Sequence, residues 1–258
     1  MDLKLAGRVA LVTGGSRGIG RAAAARLAQE GCAVATCGRT DGDVEQAISE
    51  LRALGARAAG YTVDVLVPDA VERFVDQAAA ELGGVDLLVA NVGGTCGAGL
   101  LDSTPQDWTR TFELNVGHAV RAIRTVVPHM RERGGAVVIV ASISGWKPAP
   151  KAQYGAAKAA EIALAAALAR ELAPEGIRVN AVSPGSILVP GGGWDRYRTQ
   201  EPARIAEFEQ RDFPAKRLGT AEEVADVITF LLSERASWVN GANICVDGAQ
   251  GRPSAAGW

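Results

Sequence analysis

Tyr154 and Lys158 are the two side chains whose types and spacing first suggest acid–base chemistry. They are four residues apart, so on a helix they lie on the same face. A tyrosine with its ordinary pKa of about 10 is a poor acid or base at neutral pH. A nearby lysine ammonium lowers the pKa of a phenol toward the range in which general acid–base catalysis is efficient. The pair therefore predicts a proton-transferring tyrosine, and a surface pair on a helix is the alternative.

A second group of residues points to a ligand that contains phosphate. Residues 13–20, with the sequence TGGSRGIG, follow a short apolar segment and precede an alanine-rich helical segment that begins at Arg21. Glycines in such a turn let the backbone approach a pyrophosphate, and the helix N-terminus offers oriented N–H groups to its charge. The segment predicts a dinucleotide site but indicates no reaction by itself. A glycine-rich turn without a ligand is the alternative.

The elements that must position these residues alternate along the chain. Short and mostly unbroken apolar segments predict buried strands at residues 8–12, 32–37, 57–63, 85–90, 136–141, 177–182 and 242–246. Continuous apolar runs are typical of a parallel sheet that is covered on both faces. Helical segments lie between them, and Thr104-Pro105 and the capping-box pair Thr220 and Glu223 predict two helix starts.

This alternation predicts an α/β fold. We expect one doubly wound Rossmann domain over residues 1–258, with a seven-stranded, mainly parallel sheet and helices on both faces. Residues 185–218 interrupt the pattern, because they contain no predicted strand and cluster glycine and aromatic residues. A long insertion inside a compact domain is more often a lid or binding segment than slack chain. Residues of about 186–218 are therefore expected to cover the substrate.

Composition excludes several classes of protein. Hydrophobic residues make up 48% and charged residues 22% of the chain, as in ordinary folded domains. The formal charge of -2 argues against a nucleic-acid partner. No apolar stretch reaches the roughly 18 residues of a membrane span, and the N-terminus lacks the apolar segment of a signal peptide. Four cysteines without CxxC spacing predict neither a disulfide framework nor a metal site, so a cytoplasmic protein without a metal is expected.

The motifs taken together resemble those of the short-chain dehydrogenase/reductase family, and in particular its 3-oxoacyl-(acyl carrier protein) reductases. The match covers about residues 5–248 and includes the TGxxxGxG, YxxxK and PG motifs. The matching positions, in the family's order, are Gly14, Gly18 and Gly20, Asn91 and Gly93, Asn115, Ser142, Tyr154 and Lys158, and Pro184 and Gly185. Motifs in this order and at these separations are hard to obtain by chance.

The resemblance implies an oxidoreductase that transfers a hydride between a nicotinamide cofactor and a carbonyl or secondary alcohol. Tyr154 would exchange the proton with the substrate oxygen, and Ser142 would orient the carbonyl. Lys158 would bind the nicotinamide ribose, and Asn115 would hold a water that passes protons to Lys158. Ser144 is an alternative to Ser142, but the SxxG spacing favours Ser142.

The implied cofactor-binding residues extend from the glycine segment to the sixth predicted strand. They are Gly14, Ser16, Arg17, Gly18, Ile19 and Gly20, Arg39 and Thr40, Asp64 and Val65, Asn91 and Gly93, Tyr154 and Lys158, and Pro184, Gly185 and Ile187. NAD-dependent members usually have an acidic residue at the end of the second strand, where this chain has Gly38. Arg17 and Arg39 flank that position, and two guanidinium groups without a carboxylate favour NADP(H) over NAD(H).

The substrate is less well defined. Trp194, Tyr197 and Trp146 are candidate lining residues, and packing beneath the insertion is an equal alternative. Glu175 stands where acyl-carrier-protein reductases of the family tend to have a basic residue, which argues against a role in fatty-acid synthesis. Val189 stands where members often have a hydroxyl residue that touches the cofactor. We predict a small or medium carbonyl or alcohol substrate, with a 3-oxoacyl thioester reductase and a non-catalytic dinucleotide-binding regulator as alternatives.

The resemblance also implies a homotetramer. The alanine-rich continuation of the helix after Lys158 offers a packing face between subunits, and burial within one chain is the alternative reading of that face. Neither a nucleic acid nor a membrane is expected as a partner. The tail at residues 251–258 ends in Trp258, to which the sequence assigns no role.

Overall fold

The apolar segments form a seven-stranded sheet in a computed structural model that describes residues 1–253. The strands along the chain are β1 (Val9–Val12), β2 (Ala33–Gly38), β3 (Ala58–Thr62), β4 (Leu87–Ala90), β5 (Gly135–Val140), β6 (Ile177–Pro184), β7 (Ile187–Leu188), β8 (Gly219–Thr220) and β9 (Asn243–Val246). The sheet order is β3-β2-β1-β4-β5-β6-β9, and every neighbouring pair is parallel. The predicted doubly wound parallel sheet is confirmed.

Helices cover both faces of this sheet. They are α1 (Gly18–Gln29), α2 (Asp41–Ala53), α3 (Ala70–Leu82), α4 (Pro105–Phe112), α5 (His118–Met130), α6 (Ala152–Leu172), α7 (Gly193–Gln200), α8 (Pro202–Asp212) and α9 (Ala221–Leu232). One buried cluster packs α1, α2 and α9 against the sheet, and the other packs α3, α5 and α6 against the opposite face. Because both faces are buried, the strands carry apolar residues on both sides, which explains their unbroken apolar runs.

Two helices begin at the capping residues that the sequence predicts, and both starts are capping boxes. The Thr104 hydroxyl accepts a hydrogen bond from the Asp107 N–H at 3.2 Å, and the Asp107 carboxylate accepts one from the Thr104 N–H at 2.9 Å, before α4. Thr220 and Glu223 make the same reciprocal pair before α9. Each pair satisfies N–H groups that a helix start otherwise leaves without a partner.

A crevice opens where the strand order reverses. The chain moves outward from β1 through β2 to β3, and then returns to add β4 on the other side of β1. Loops from the carboxyl ends of β1 and β4 therefore leave in opposite directions, and ligands of doubly wound sheets bind at this position. The glycine segment follows β1, so the fold places it at the crevice.

The insertion has more structure than its sequence predicts. The expectation that residues 185–218 contain no strand is wrong, because β7 lies within them and pairs in parallel with β8. Strands of two residues are too short to show an apolar pattern, so the sequence does not reveal them. Helices α7 and α8 fold over a small core of their own, formed by Ile205, Phe208, Phe213 and Leu218.

The residues after β9 make hydrogen bonds to the insertion. The buried Gln250 side chain accepts a hydrogen bond from the Ser186 N–H at 2.8 Å and donates one to the Ser186 hydroxyl at 2.9 Å. The Gly251 N–H donates to the Asp212 carbonyl at the end of α8. Trp258 lies outside the described residues. In residues 1–253, no helix is long and apolar enough to cross a bilayer.

Candidate active site

A cavity of about 280 Å³ lies between the carboxyl ends of the central strands and the insertion. Its lining residues come from the glycine segment, the ends of β4, β5 and β6, α6 and α7. They are Ile19, Asn91, Gly93, Val140, Ala141, Ser142, Tyr154, Lys158, Pro184, Gly185, Ile187, Val189 and Trp194. Three of the four predicted catalytic side chains thus meet predicted cofactor-binding residues in one cavity.

Ser142 reaches the cavity because β5 ends two residues earlier. Its hydroxyl oxygen accepts a hydrogen bond from the Ser144 N–H at 3.1 Å, which starts a short turn over residues 143–145. The hydroxyl proton of Ser142 is left to donate toward the cavity. Ser142 rather than Ser144 lines the cavity, as the SxxG spacing favours.

Tyr154 and Lys158 lie one turn apart on α6, and both line the cavity. The Lys158 Nζ lies 5.7 Å from the centroid of the Tyr154 ring. Lys158 is almost fully buried, and its Nζ donates a hydrogen bond to the Val140 carbonyl at 2.9 Å. The end of β5 therefore fixes the ammonium beside the tyrosine.

Glu161, which sequence reasoning did not select, is the other partner of Lys158. Its Oε2 lies 2.8 Å from the Lys158 Nζ, and both side chains are buried. Burial raises the pKa of the Glu161 carboxyl, and the Lys158 ammonium acts in the opposite direction. The signal in the sequence is an acidic residue in an otherwise apolar helical run, three positions after the lysine.

Asn115 sits in a widened turn between α4 and α5. Residues 113–117 form a π-helical turn, and Asn115 is fully buried within it. Its Nδ2 donates to the Gly94 and Thr111 carbonyls at 2.7 and 2.6 Å, and its Oδ1 accepts from the Gly94 N–H at 3.2 Å. A Cβ on Gly93 would lie 2.8 Å from both Asn115 Oδ1 and Lys158 Nζ. Asn115 thus holds the chain after β4 against Lys158, without lining the cavity itself.

Asn91 joins the glycine segment to β4. Its Nδ2 donates to the carbonyls of Thr13 and Gly14, each at 3.1 Å, and its N–H donates to the Thr13 hydroxyl at 2.9 Å. The segment then enters α1, whose N-cap Arg17 makes no side-chain cap and whose first turn has no acidic residue. The first N–H groups of α1 are therefore available to an anion.

The end of β2 has no room for the acidic residue of an NAD site. A Cβ on Gly38 would lie 2.3 Å from the Ser16 hydroxyl, so the glycine segment packs directly on this position. Arg39 and Thr40, which follow, are exposed. Arg17 is also exposed, and its Nε lies 3.5 Å from Asp43 Oδ2 in the first turn of α2.

Asp43 is a second residue that sequence reasoning missed, because the pairing with Arg17 joins two helix starts that are distant along the chain. Its carboxylate competes for a cation that the sequence assigns to a phosphate. The pair is solvent-exposed, and exposed ion pairs contribute little free energy.

Asp64 and Val65 follow β3, beside the end of β2. The Asp64 carboxylate accepts a hydrogen bond from the Leu66 N–H at 3.0 Å, and Arg121 donates to the Val65 carbonyl. These contacts shape the loop after β3. Their predicted contact with the adenine stays a prediction.

The three candidate substrate-lining aromatic residues differ in position. Trp194 lines the cavity and also stacks on Phe208, with ring centroids 5.3 Å apart, so it both packs and faces the site. Tyr197 packs beside Trp194 in the core of the insertion. Trp146 is 49% exposed, beneath the ammonium of Lys147. Val189 lines the cavity where family members often have a hydroxyl.

His118 lies behind the glycine segment and was not selected from the sequence. It is fully buried, and its Nε2 lies 3.4 Å from the Thr13 hydroxyl. Burial and the nearby Lys158 charge lower the pKa of the His118 imidazole to about 3. The ring is therefore neutral at physiological pH.

Known proteins are similar to this chain in sequence and in structure. Residues 14–249 match the family described as enoyl-(acyl carrier protein) reductase. The chain is 38% identical over 253 residues to dehydrogenase/reductase SDR family member 4 of Pongo abelii, covering 97% of this chain and 89% of that protein. The L-sorbose reductase of Gluconobacter frateurii, solved with NADPH and L-sorbose, superposes with a TM-score of 0.91 at 33% identity and covers 97% of this chain and 98% of that one.

A second solved structure contains the other nicotinamide cofactor. It is a 7α-hydroxysteroid dehydrogenase in complex with NADH and 7-oxo glycochenodeoxycholic acid. Its TM-score is 0.91 at 29% identity, and the alignment covers 99% of this chain and 98% of that one.

Proposed function

The chain belongs to the short-chain dehydrogenase/reductase family, and we propose that it is an NADP(H)-dependent oxidoreductase acting on a carbonyl or secondary alcohol of a small or medium organic substrate. That it is a dinucleotide-dependent oxidoreductase follows from its relatives. The observation that carries the finer proposal is the convergence of Ser142, Tyr154 and Lys158 on one cavity at the carboxyl edge of the sheet.

The described residues fit a dinucleotide. The uncapped N-terminus of α1 can hold a pyrophosphate, and the exposed Arg39 and Thr40 after β2 are accessible to a ribose and its phosphate. Pro184, Gly185 and Ile187 share the cavity with the catalytic side chains, so they would contact the nicotinamide end. When bound, the nicotinamide supplies or accepts the hydride.

The protein's own residues would manage the proton. Tyr154 donates a proton to the carbonyl oxygen in reduction and removes it from the alcohol in oxidation. The Ser142 hydroxyl, whose oxygen already accepts from Ser144, donates a hydrogen bond to the same carbonyl and stabilises its developing charge. The Lys158 ammonium stabilises the phenolate and keeps an N–H for the ribose, and Asn115 holds the chain after β4 that closes around Lys158.

The preference for NADP(H) rests on charge at the end of β2. Arg17 and Arg39 are both exposed there, and Gly38 cannot be replaced by an acidic residue without displacing Ser16. Asp43 partly offsets this charge through its pair with Arg17. A phosphate that carries two negative charges attracts the guanidinium more strongly than one exposed carboxylate does.

The size of the cavity supports a small or medium substrate, and Trp194 supplies an apolar wall to it. A 3-oxoacyl thioester substrate is the second candidate, favoured by the match to the enoyl-(acyl carrier protein) reductase family. Glu175 argues against it. This acidic residue forms an ion pair with Arg131 at 3.3 Å, so the position adds no positive charge that would attract an acidic carrier protein. The third candidate, a non-catalytic regulator, would not need Tyr154 and Lys158 in the cavity.

Single-domain organisation over residues 1–258 and a homotetramer are part of this proposal. Exposed apolar side chains support the tetramer, since Val120 on α5, Phe230 on α9 and Trp238 before β9 are 39%, 38% and 96% exposed. A cytoplasmic location stays a prediction from the sequence.

Turnover of a substrate panel tests the proposal. Purified protein is mixed with NADPH or NADH and with ketoses, quinones, oxosteroids or 3-oxoacyl thioesters, and the nicotinamide absorbance is followed. We expect consumption of NADPH faster than NADH with at least one small carbonyl class. Turnover confined to 3-oxoacyl thioesters would favour the second candidate. Tight binding of NADPH with no turnover on any class would favour the regulator.

A further inference from the structure

We propose that Glu161 is a positioning residue for Lys158. The negative charge of Glu161 opposes the stabilisation that the Lys158 ammonium gives to the Tyr154 phenolate. The inference rests on the proposed function, because Lys158 and Tyr154 are the catalytic pair only in a dehydrogenase or reductase. It is separate from the residues that the family motifs assign, since Glu161 lies outside the YxxxK motif.

The geometry restrains Lys158 on three sides. Its Nζ donates to the Val140 carbonyl at 2.9 Å and lies 2.8 Å from Glu161 Oε2, and a Cβ on Gly93 would lie 2.8 Å from it on a third side. An ammonium has three N–H groups. One of them is directed to the Val140 carbonyl, and the ion pair with Glu161 restrains the ammonium further, so the position of the amine is not set by free rotation of a long side chain.

The buried carboxylate of Glu161 is paired with the ammonium of Lys158. The Glu161 side chain is 1% exposed, and its carboxylate oxygens accept no hydrogen bond from any donor in residues 1–253, so the ion pair with Lys158 is its compensation. A buried carboxylate is costly unless it is paired, so removal of either partner leaves an uncompensated group. Other buried positions of α6, such as Ala157 and Ala165, are apolar, so burial against the sheet does not by itself explain an acid here.

Other ionisable groups on the elements around α6 are exposed to solvent, as Arg110 and Glu113 are, engaged elsewhere or neutral. They are Asp107 and Arg110 on α4, Glu113 in the π-helical turn, His118 at the start of α5, Glu175 after α6 and Arg178 on β6. His118 is neutral for the reason given above, and Arg178 donates to the carbonyls of Leu231 and Ser233. Asp107 is used in the cap of α4, and Glu175 pairs with Arg131.

The consequence concerns the phenolate. With Glu161 ionised, the ammonium has a carboxylate as its counter-ion, and it stabilises a second anion on Tyr154 less. Replacement by glutamine leaves the phenolate as the anion next to the ammonium. Glu161 is two helical turns, roughly 10 Å, from Tyr154. At an effective dielectric constant of about 20, a charge at that distance shifts a titration by about one pH unit.

Phenolate absorbance in the near ultraviolet tests this without any substrate. The chain has three tyrosines, and burial together with Glu81 raises the pKa of Tyr61, so its phenolate forms at higher pH. Subtracting the titration of Tyr154→Phe isolates the Tyr154 signal. The titration is repeated on Glu161→Gln and on Glu171→Gln, an exposed position on the same helix that undergoes the same chemical change.

We expect Glu161→Gln to lower the midpoint of Tyr154 phenolate formation by about one pH unit, and Glu171→Gln to leave it unchanged. If Glu161→Gln does not fold, Glu161→Met carries the same expectation, since it also removes the charge at similar volume. A midpoint in the folded uncharged variant that equals the wild-type midpoint would overturn the inference.

The rate profile gives a second readout and separates the two proposals. In the oxidation direction, the rise of kcat with pH is expected to move to lower pH in Glu161→Gln, with KM for the alcohol within twofold. If the wild-type protein shows no turnover, the proposed function fails, and the phenolate titration still decides whether Glu161 acts on Tyr154. A shifted rate profile with no shift in the titration would overturn the inference for Glu161.

Discussion

At the scale of single residues, the site depends on where a few charges are placed. Lys158 is held between the end of β5 and Glu161, and Arg17 is shared between the predicted phosphate position and Asp43. In both places a carboxylate outside the family motifs lies next to the cation that a motif supplies. We therefore expect each cation to interact less strongly with a ligand than it would without its acidic neighbour.

The Arg17–Asp43 pair leads to opposite predictions for its two members. Arg17→Ala is expected to weaken NADPH binding about tenfold, because a charge-assisted hydrogen bond is lost, and to change NADH binding less than twofold. Asp43→Asn is expected to strengthen NADPH binding about threefold, because an exposed ion pair no longer competes for Arg17. Fluorescence titration with each dinucleotide measures both effects.

The matched control is Arg170→Ala, which removes an exposed arginine from α6. It should leave both affinities unchanged. Equal losses of NADPH and NADH affinity in Arg17→Ala would show that this guanidinium contacts a part shared by the two cofactors, and would contradict its assignment to the 2'-phosphate.

At the scale of elements, each strand end carries one part of the site. The glycine segment leaves β1, Asn91 and Gly93 leave β4, Ser142 leaves β5, and Pro184 ends β6. The helix α6 brings Tyr154 and Lys158 against these ends, and the insertion closes the cavity with Trp194. The carboxyl edge of a parallel sheet gathers residues that are far apart in sequence.

The proposed contact between the insertion and the substrate is Trp194, which lines the cavity. Trp194→Ala is expected to raise KM about tenfold, because an apolar wall and the stack on Phe208 are lost, while the Kd for NADPH stays within twofold. Steady-state kinetics and fluorescence titration measure the two quantities. Trp108→Ala, which removes a tryptophan on α4 that does not line the cavity, serves as the control and should keep the wild-type KM. An unchanged KM in Trp194→Ala would show that this ring only packs the insertion.

The elements with local signals were predictable from sequence. The strands lie within two residues of their predicted bounds, because a sheet buried on both faces requires continuous apolar runs. The starts of α4 and α9 were predictable because their capping boxes are local. Strands β7 and β8 were not, because a two-residue pair is defined by its partner and not by a pattern.

The site was predictable to the extent that short motifs carry it. Ser142, Tyr154 and Lys158 are recognisable by type and spacing, and the structure brings them to one cavity. Asp43 and His118 were missed because their contacts join distant parts of the chain. Asn115 is recognisable from the family resemblance, but its bonds to Gly94, which is 21 residues away in sequence, are not visible in a local pattern.

At the scale of the whole molecule, stability should depend on pH through His118. The folded protein keeps this imidazole neutral down to a pKa of about 3, whereas an exposed histidine in the unfolded chain binds a proton near pH 6.5. Between these values the unfolded state binds more protons, so the free energy of unfolding falls as pH is lowered. The contribution of neutral His118 to stability is fully present above the pKa of the unfolded state. It is lost as the pH falls toward the pKa of the folded state.

Urea unfolding at about pH 7 and about pH 5 measures this effect. Because of this group, the free energy of unfolding of the wild-type protein is expected to be about 2 kcal/mol lower at the lower pH. His118→Asn is expected to lack this decrease. His129→Asn, at the partly exposed second histidine, should retain it. The same pH dependence in His118→Asn and the wild-type protein would show that His118 is not the group responsible.

The central claim is that Tyr154 transfers the proton in an NADPH-dependent reaction, and Tyr154→Phe tests it most directly. The variant keeps the ring and removes the hydroxyl, and Tyr61→Phe, on β3, makes the same change away from the cavity. We predict that Tyr154→Phe lowers kcat by roughly 10²- to 10⁴-fold with the Kd for NADPH within twofold, and that Tyr61→Phe turns over at the wild-type rate. Wild-type turnover by folded Tyr154→Phe would contradict the mechanism.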